Sequence, residues 1–229
     1  MNLAAIIVAA GRGVRMGAAT PKVFLPLRGL SVLSYSLRTV SKLDHLSRIV
    51  VAVANEHRGT ATTILAAEDQ LSTMVDLVSG GEERQDSVSN ALAAINDPVD
   101  LILVHDGARP LVSISCMQRC VATAAKHGAA IVAVAANDTV KICNGSLVDR
   151  TIERNRVWLA QTPQVFRSDW LREAYARAER ESLRATDDST LVESCGYPVQ
   201  IVEGEATNRK LTTPDDLRWA EWYLDQTHT

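Results

Sequence analysis

Apolar stretches rich in β-prone residues alternate with helical patterns along the first half of the chain. Five of these stretches are predicted to be strands: Leu3–Ala10, Arg48–Ala54, Met74–Ser79, Leu101–His105 and Ala129–Ala135. Apolar residues at helical spacing occur between them, at Ser31–Lys42, His57–Gln70, Glu83–Ile95 and Ser113–His127. The strands lack inside–outside alternation, and such strands are typical of a parallel sheet covered by helices on both faces. The pattern therefore predicts a doubly wound, mostly parallel α/β fold of the Rossmann type.

The pattern changes between Asp138 and Arg154. Asn144-Gly145 is a strong hairpin signal because both residue types tolerate a positive φ, and β-prone residues such as Ile142 and Leu147 flank it. A lone two-stranded hairpin is only marginally stable in water. It therefore needs a partner, either its own core or a second subunit. We predict a protruding β-hairpin arm at residues 137–156 through which the chain forms a symmetric homodimer.

The rest of the chain continues the alternation of strands and helices. The predicted elements are a short strand near Gln164–Phe166, helices at Ser168–Glu181 and Asp187–Ser194, a strand at Pro198–Val202, and a last helix that begins at Thr213–Asp216. There is no internal repeat and no linker rich in Pro, Gly and Ser. Residues 1–229 are therefore predicted to form a single domain, with the arm as an excursion.

Composition and charge narrow the classes of partner. Lys and Arg number 24 and Asp and Glu 27, so the net charge of −3 argues against nucleic-acid binding, which needs a basic face. The longest apolar run, Leu3–Ala10, is far shorter than the roughly 20 residues of a membrane helix. No signal-peptide pattern precedes it, and four cysteines do not make a disulfide scaffold in a chain of 229 residues. We predict a cytoplasmic protein with reduced thiols that binds neither nucleic acid nor membranes.

The loop after the first strand is a candidate phosphate site. Ligands of open α/β sheets bind beyond the carboxyl ends of the strands, and this loop contains Gly11 and Gly13 with the cations Arg15 and Lys22 beside them. Glycines allow backbone N–H groups to approach phosphates closely. The spacing matches neither the dinucleotide fingerprint nor a P-loop. A plain strand-to-helix turn is the alternative, but the two cations favour phosphate binding.

Two further loops follow strands and carry polar residues. In Gly80–Ser87, backbone amides and Ser87 could contact a base, although a helix start with acidic residues is the favoured explanation of this loop taken alone. In His105–Pro110, Asp106 could bind Mg²⁺ together with substrate phosphates, and Arg109 could bind a phosphate. The alternative is that Asp106 caps a turn and pairs with Arg109. Cys116 and Cys120 lack the spacing of a common zinc site.

Taken together, these motifs resemble those of the 2-C-methyl-D-erythritol 4-phosphate cytidylyltransferases. The motifs are A-A-G-R-G-V-R-M-G with T-P-K-V-F-L-P-L, then G-G-E-E-R-Q-D-S-V, V-H-D-G-A-R-P, D-T-V-K, T-P-Q and N-R-K-L-T-T-P-D-D-L, in order from about residue 3 to residue 224. The resemblance implies a nucleotidyltransferase-like fold. It also implies that the chain transfers CMP from CTP to 2-C-methyl-D-erythritol 4-phosphate and releases pyrophosphate, with Mg²⁺ as cofactor. This reaction belongs to the non-mevalonate isoprenoid pathway. The resemblance also implies a homodimer whose arm contributes to the neighbour's substrate site.

The resemblance assigns a role to each matching residue. The residues that the resemblance implies for nucleotide binding are Ala9, Ala10, Gly11, Gly13, Arg15, Lys22, Gly81, Glu82, Arg84, Ser87, Asp106 and Gly107. It places at the acceptor polyol phosphate Asp106, Arg109, Thr139, Arg154, Thr186 and Lys210. Of these, it makes Arg15, Lys22, Arg154 and Lys210 catalytic and Asp106 the metal ligand. The chain departs from the family at Val14, where another basic residue is common, and at Gly107, where Ala is common.

The implied mechanism needs no general base. The second pKa of a phosphate monoester is about 6, so the acceptor is largely a dianion at neutral pH and is itself the nucleophile. Catalysis is then mostly positioning and charge neutralisation. Three alternatives stay open: a ribitol-5-phosphate cytidylyltransferase, a sugar-1-phosphate nucleotidyltransferase that uses another base, and a non-catalytic nucleotide-binding regulator on the same scaffold.

Overall fold

The apolar strands form a seven-stranded sheet in the computed structural model of the protein. The structure describes residues 1–11, 20–68 and 74–227. The strands in these ranges are β1 (Leu3–Val8), β2 (Pro26–Leu27), β3 (Leu30–Ser31), β4 (Leu46–Val53), β5 (Val75–Ser79), β6 (Leu101–Asp106), β7 (Ala129–Ala135), β8 (Lys141–Asn144), β9 (Leu147–Thr151), β10 (Trp158–Arg167) and β11 (Gln200–Glu203). The sheet has the order β11-β7-β10-β6-β1-β4-β5. All of its neighbouring pairs are parallel except the two that β10 makes, so the predicted mostly parallel sheet is confirmed.

Helices cover both faces of this sheet. They are α1 (Val32–Val40), α2 (Arg58–Ala66), α3 (Arg84–Ala94), α4 (Ile114–His127), α5 (Ser168–Glu181), α6 (Asp188–Ser194) and α7 (Pro214–Thr227). Alternate residues of β1 point into two separate hydrophobic cores, one on each face of the sheet. Leu3, Ala5 and Ile7 pack with α1, α2 and α4. Ala4 and Ile6 pack with α3, α5 and α6. This is the doubly wound arrangement. None of the helices in the described ranges is long and apolar enough to cross a bilayer.

The helix starts follow the capping residues in the sequence. Ser31 accepts the Ser34 N–H at 3.0 Å, Ser113 accepts the Cys116 N–H at 3.1 Å, and Asp187 accepts the Thr190 N–H at 3.1 Å. Each of these bonds satisfies a donor that the helix itself leaves unpaired, and such a cap is worth about 1 kcal/mol. The predicted bounds of α5 are confirmed, and those of α1, α3, α4 and α6 hold to within two residues.

Two predicted elements have the wrong bounds. The helix predicted at His57–Gln70 is α2, which ends at Ala66 and is preceded by a 3₁₀ turn at Asn55–His57. The short strand near Gln164–Phe166 is part of the ten-residue β10. Its first half was missed because the ladder changes register between Ala160 and Gln164, around Pro163, which cannot donate a hydrogen bond.

The predicted arm is a separate two-stranded sheet of β8 and β9. Its turn is displaced by one residue, since Asn144 pairs with Leu147 and the central turn residues are Gly145 and Ser146. Gly145 has φ +58°, which fits a tight turn with glycine at its first central position. Every residue of both strands is exposed, with Leu147 at 75%. The hairpin therefore lacks a core within its own chain.

The carboxyl ends of four parallel strands lie at one edge of the sheet. Val8 at the end of β1 pairs with Asp106 of β6 and with Ala52 of β4, and Val53 of β4 pairs with Ser79 of β5. Three of the four loops that follow these strands, those after β1, β5 and β6, are the candidate loops of the sequence analysis. Register alone therefore brings these loops together.

Candidate active site

A cleft of about 580 Å³ lies at this edge of the sheet. It is lined by Val8, Ala10, Gly11, Lys22, Val23, Ala54, Asn55, Glu56, Gly80, Gly81, Glu82, Glu83, Arg84, Ser87, Asp106, Ala108, Lys210 and Thr212. Residues from all three candidate loops are among them, together with Lys210 from the loop before α7. The cleft thus combines loops that contain glycine with three cationic side chains, Lys22, Arg84 and Lys210, from distant parts of the chain.

The first loop contributes both backbone and charge. Ala9 is buried, and its N–H donates to the Ala52 carbonyl at 2.8 Å, which fixes the loop as it leaves the sheet. Lys22 begins a 3₁₀ turn in which the next two residues, Val23 and Phe24, are buried. Their burial holds the Lys22 backbone at the cleft wall. Gly13 and Arg15 lie outside the described residues, so their roles stay predictions.

The second loop requires glycine for steric reasons. A Cβ on Gly80 would lie 2.2 Å from the Ala10 Cβ, and one on Gly81 would lie 2.2 Å from the Asp86 Cβ. Real Cβ atoms do not approach this closely, so either side chain would force the first two loops or the start of α3 apart. The glycines therefore permit the close contact between the two loops that shapes this end of the cleft.

Ser87 holds the second loop together. Its Oγ accepts the Gly81 N–H at 3.0 Å and donates to the Glu83 carbonyl at 3.1 Å. The proton of the Ser87 hydroxyl is thus already donated within the loop. A ligand can therefore bond to Ser87 only by donating to the remaining lone pair of its Oγ. Asp86 accepts the Glu83 N–H at 3.1 Å, so the helix-start explanation of this loop also holds.

Asp106 is the electrostatic centre of the cleft. Its Oδ1 accepts a bond from Arg84 Nε at 3.1 Å, its Oδ2 lies 2.8 Å from Lys210 Nζ, and Arg109 Nε is 3.7 Å from Oδ2. Burial alone would raise the pKa of this carboxyl, but Arg84, Lys210 and Arg109 hold that pKa well below its usual range. Asp106 is therefore a carboxylate surrounded by cations, and its pairing with Arg109, the alternative for this loop, is the longest of the three contacts.

Arg84 connects Asp106 to a second carboxylate. Its Nη2 donates to Asp188 Oδ2 at 2.8 Å, and Asp188 Oδ1 accepts the Tyr175 hydroxyl at 2.6 Å. Asp188 is completely buried. Burial alone would lower the pKa of Arg84, but Asp188 and Asp106 raise it above its usual value. The guanidinium therefore stays charged between the two carboxylates.

A neutral histidine supports the third loop. Thr162 Oγ1 accepts the Asp106 N–H at 3.0 Å, which leaves its proton for His105 Nδ1, also at 3.0 Å. The other ring nitrogen, Nε2, then donates to the Arg109 carbonyl at 3.2 Å. Burial lowers the pKa of His105 to about 4, so the ring is uncharged at neutral pH. Gly107 adds a backbone bond from its N–H to the Val8 carbonyl at 2.9 Å.

The predicted acceptor residues are not all at the cleft. Arg109 is nearly buried behind it, and its Nη1 donates to the Asn208 carbonyl at 2.8 Å. Thr139 and Arg154 are exposed on the arm, where Arg154 Nη1 donates to the Asn137 carbonyl at 2.6 Å. Thr186 is exposed before α6. Thr139, Arg154 and Thr186 do not line the cleft of their own chain.

Sequence reasoning missed several residues of the site. Asn55 and Glu56 follow β4 and line the cleft, although the loop after that strand contains no glycine motif to mark it. Nothing in the sequence distinguishes Asp188 from an ordinary acidic residue except its position in T-D-D before a helix. Nothing local indicates that its partner is Arg84, 104 residues away.

The described residues contain no group of three or more His, Cys, Asp or Glu side chains placed to hold a metal ion. The four cysteines are free, and Cys116 and Cys120 lie on the buried face of α4, within the core. Burial raises the pKa of the Cys116 thiol to about 11, which keeps it protonated and unreactive.

Comparison with known proteins agrees with this geometry. The model of the family described as 2-C-methyl-D-erythritol 4-phosphate cytidylyltransferase (IspD) matches residues 3–226. The cytidylyltransferase of that name from Geobacillus kaustophilus is 42% identical over 224 residues, which cover 98% of this chain and 97% of the relative. Its counterpart from Bacillus velezensis is 42% identical over 222 residues, covering 96% and 95%.

Solved structures give the same result. The crystal structure of 2-C-methyl-D-erythritol 4-phosphate cytidylyltransferase from Thermus thermophilus is similar with a TM-score of 0.80 and 36% identity, covering 98% of this chain and 100% of that one. The 4-diphosphocytidyl-2C-methyl-D-erythritol synthase from Anaerococcus prevotii has a TM-score of 0.85 and 31% identity, covering 98% and 96%. The chain therefore belongs to the 2-C-methyl-D-erythritol 4-phosphate cytidylyltransferase family, which are nucleotidyltransferases of the non-mevalonate isoprenoid pathway.

Proposed function

We propose that this chain uses the cleft to transfer CMP from CTP to 2-C-methyl-D-erythritol 4-phosphate, with release of pyrophosphate. The observation that carries the proposal is the meeting of two glycine loops with Lys22, Lys210 and Asp106 in one cleft. The backbone around Ala10, Gly11 and Gly81 suits a base and ribose, and the lysines suit phosphates. The acceptor phosphate attacks the α-phosphorus of CTP, and the bond from that phosphorus to the β-phosphate bridging oxygen breaks.

The main barrier to this reaction is electrostatic repulsion between a phosphate dianion and a triphosphate. The cations of the cleft reduce this repulsion. Lys22 and Lys210 lower the negative potential in the cleft. We assign Arg15 to the same task and Arg154 to the acceptor phosphate. No proton has to be removed from the nucleophile, so the neutral, fully buried His105 keeps a structural role.

Asp106 is the residue that would hold Mg²⁺. One carboxylate at a strand end is enough, because Mg²⁺ takes the rest of its shell from substrate phosphates and water. Asp106 Oδ2 now contacts Lys210, whose side chain is 37% exposed and can move aside. The donor set therefore fits the ion, which when bound would neutralise part of the triphosphate charge.

The direct test is incubation of the purified chain with CTP, Mg²⁺ and either 2-C-methyl-D-erythritol 4-phosphate or ribitol 5-phosphate. Product is identified by mass and pyrophosphate release is measured. We expect the diphosphocytidyl product from the methylerythritol substrate. Product from ribitol phosphate alone would contradict the proposed acceptor. CTP binding without product from any acceptor would favour a regulator.

Gly80→Ala is expected to raise KM for CTP about tenfold or more, since overpacking of this kind costs about 1–3 kcal/mol. The new methyl group would meet Ala10 and push apart the two loops that bind the base. Steady-state kinetics with varied CTP measure the effect. Gly59→Ala in α2 is the matched control, because no atom apart from its chain neighbours and its own helix backbone lies within 4 Å of the added Cβ. An unchanged KM for Gly80→Ala would remove this end of the cleft from nucleotide binding.

Arg154→Ala is expected to raise KM for the acceptor by about 10–100-fold, the value of one charge-assisted hydrogen bond, and to leave KM for CTP unchanged. Arg154 is exposed on the arm, and its guanidinium donates to a backbone carbonyl, that of Asn137, which a phosphate dianion can outcompete. Kinetics with varied acceptor test this, with Arg150→Ala on the same arm as control. A rise in KM for CTP instead would place Arg154 at the nucleotide.

Removal of the hairpin is expected to give a monomer with little activity. We propose that the exposed arm binds a second copy, which would complete the acceptor site with Arg154 and Thr139. The Ile152 N–H donates to the Val140 carbonyl at 3.0 Å, so a short glycine linker can replace residues 141–151 without moving the ends. Light scattering reports mass, and Ser146→Ala at the turn is the control. A fully active monomer would disprove the shared site.

A mixing experiment tests the sharing itself. Chains with Lys22→Ala have an impaired cleft and an intact arm, and chains with Arg154→Ala have the reverse. If the arm reaches the neighbouring cleft, each mixed dimer contains one intact site and activity returns when the two variants are unfolded and refolded together. No recovery would mean that each arm serves its own cleft.

A further inference from the structure

The proposed reaction assigns no role to the buried carboxylate of Asp188. Its side chain is completely buried, and a buried charge is tolerated only when it is paired and hydrogen-bonded. Both of its oxygens are used, Oδ2 by Arg84 Nη2 at 2.8 Å and Oδ1 by the Tyr175 hydroxyl at 2.6 Å. The Gln164 side chain accepts the Asp188 backbone N–H at 3.2 Å. Asp188 is thus held from three sides.

The partner of Asp188 also contacts the centre of the cleft. A guanidinium is a planar, rigid fork, so fixing one nitrogen fixes the direction of the others. With Nη2 on Asp188, Arg84 presents Nε to Asp106 Oδ1 at 3.1 Å. Oδ2 of Asp106 is left to Lys210 at 2.8 Å. In this arrangement Arg84 bridges Asp188 and Oδ1 of Asp106, and Oδ2 is the oxygen that faces Lys210.

We propose that Asp188, itself held by Tyr175, is a positioning residue for the transfer reaction, because it keeps Arg84 on Oδ1 of Asp106 and leaves Oδ2 for the reacting groups. This rests on the proposed function, in which Asp106 serves the substrates. Asp188 does not line the cleft, and it acts only through Arg84.

The charge balance explains why the carboxylate matters. Arg84 is shared between two carboxylates, so neither holds it alone. If Asp188 were neutral, Arg84 would have Asp106 as its only anionic partner and would turn to bind both oxygens, the geometry that Arg and carboxylate prefer. Lys210 and the substrates would then compete with Arg84 for Asp106.

Asp188→Asn tests this with little change in shape. Its amide oxygen can still accept from Arg84, and its amide nitrogen can donate to the Tyr175 oxygen. We expect kcat to fall by about 10–100-fold, as is typical when a residue that orients an active-site ligand is lost, while KM for CTP stays close to that of the wild type. Tyr175→Phe should cause a smaller loss of the same kind.

Tyr197→Phe is the matched control. The Tyr197 hydroxyl also donates to a carboxylate, that of Glu173 at 2.5 Å, but on the exposed surface. Its kcat should equal that of the wild type. A loss of kcat in this variant as large as in Tyr175→Phe would overturn the proposal.

The Asp106→Asn background separates positioning from a general effect on folding. If Asp188 acts through Arg84 on the Asp106 carboxylate, Asp188→Asn costs nothing further once that carboxylate is gone. A merely structural role would instead lower the melting temperature and reduce kcat by the same factor in both backgrounds. The latter result, or an unchanged kcat for Asp188→Asn in the wild type, would overturn the proposal.

Crystal structures of the wild-type chain and of Asp188→Asn test the positioning independently of turnover. The expected difference is an Arg84 guanidinium that binds both oxygens of Asp106 and displaces Lys210. An unchanged contact between Arg84 Nε and Oδ1 would overturn the proposal. Absence of product from the wild-type enzyme would contradict the proposed function instead, so the two failures are distinguishable.

Discussion

Replacing Lys22 by alanine is expected to lower kcat by about 10²–10³, the loss seen when a preorganised group that stabilises transition-state charge is removed. The effect should be large because Lys22 lines the cleft and its backbone is fixed there by the burial of its neighbours Val23 and Phe24. A cation fixed before the reaction has no reorganisation cost when charge accumulates on the α-phosphate. The KM values for both substrates should change much less, since the charge it stabilises is greatest in the transition state.

Single-turnover and steady-state kinetics measure this prediction. Lys42→Ala is a suitable control, because Lys42 is exposed just after α1 and before β4 begins, away from the carboxyl edge of the sheet. Near-normal turnover of Lys22→Ala would show that the α-phosphate lies elsewhere in the cleft.

Arg84→Met is expected to lower the free energy of unfolding by about 3–5 kcal/mol, the usual cost of removing one partner of a buried ion pair. The methionine fills the space of the side-chain stem but leaves Asp188 buried with only the Tyr175 hydroxyl as a partner. Arg218→Met removes an arginine from a pair in which both side chains are more than three-quarters exposed, and it should change stability by less than about 1 kcal/mol.

Urea unfolding measures both variants. The double variant Arg84→Met with Asp188→Asn removes the unpaired charge and should recover part of the loss, because these residues are in contact and their effects are not additive. Equal losses for Arg84→Met and Arg218→Met would mean that burial of this pair contributes nothing to stability.

The fold and the location of the cleft follow from local sequence signals. Uniformly apolar strands indicated a sheet covered on both faces, and parallel strands end at the same edge, so the glycine loops after β1, β5 and β6 had to meet. The predicted helix starts at Ser113 and Asp187 are within one residue of the observed ones, and both residues cap their helices. These features depend on residues close together in the chain, where spacing carries the information.

Contacts between distant residues could not be predicted in this way. Nothing near Arg84 indicates that its guanidinium bridges Asp106 and Asp188, and the full length of β10 depends on antiparallel pairing with two strands. The arm residues Thr139 and Arg154 are away from the cleft of their own chain, so their assignment to the acceptor depends on a second copy. Chemistry that depends on long-range packing therefore becomes visible only in the folded structure.

The backbone bond between Val140 and Ile152 closes the base of the arm independently of the residues beyond it. The hairpin can therefore be replaced as a unit without disturbing the seven-stranded sheet, of which it is not a part. Under the proposed dimerisation, the tip of the hairpin can diverge in sequence and so change which second copy it binds, while the cleft is left unchanged. Under the same proposal, exchange of the hairpin between related enzymes would change which subunits associate.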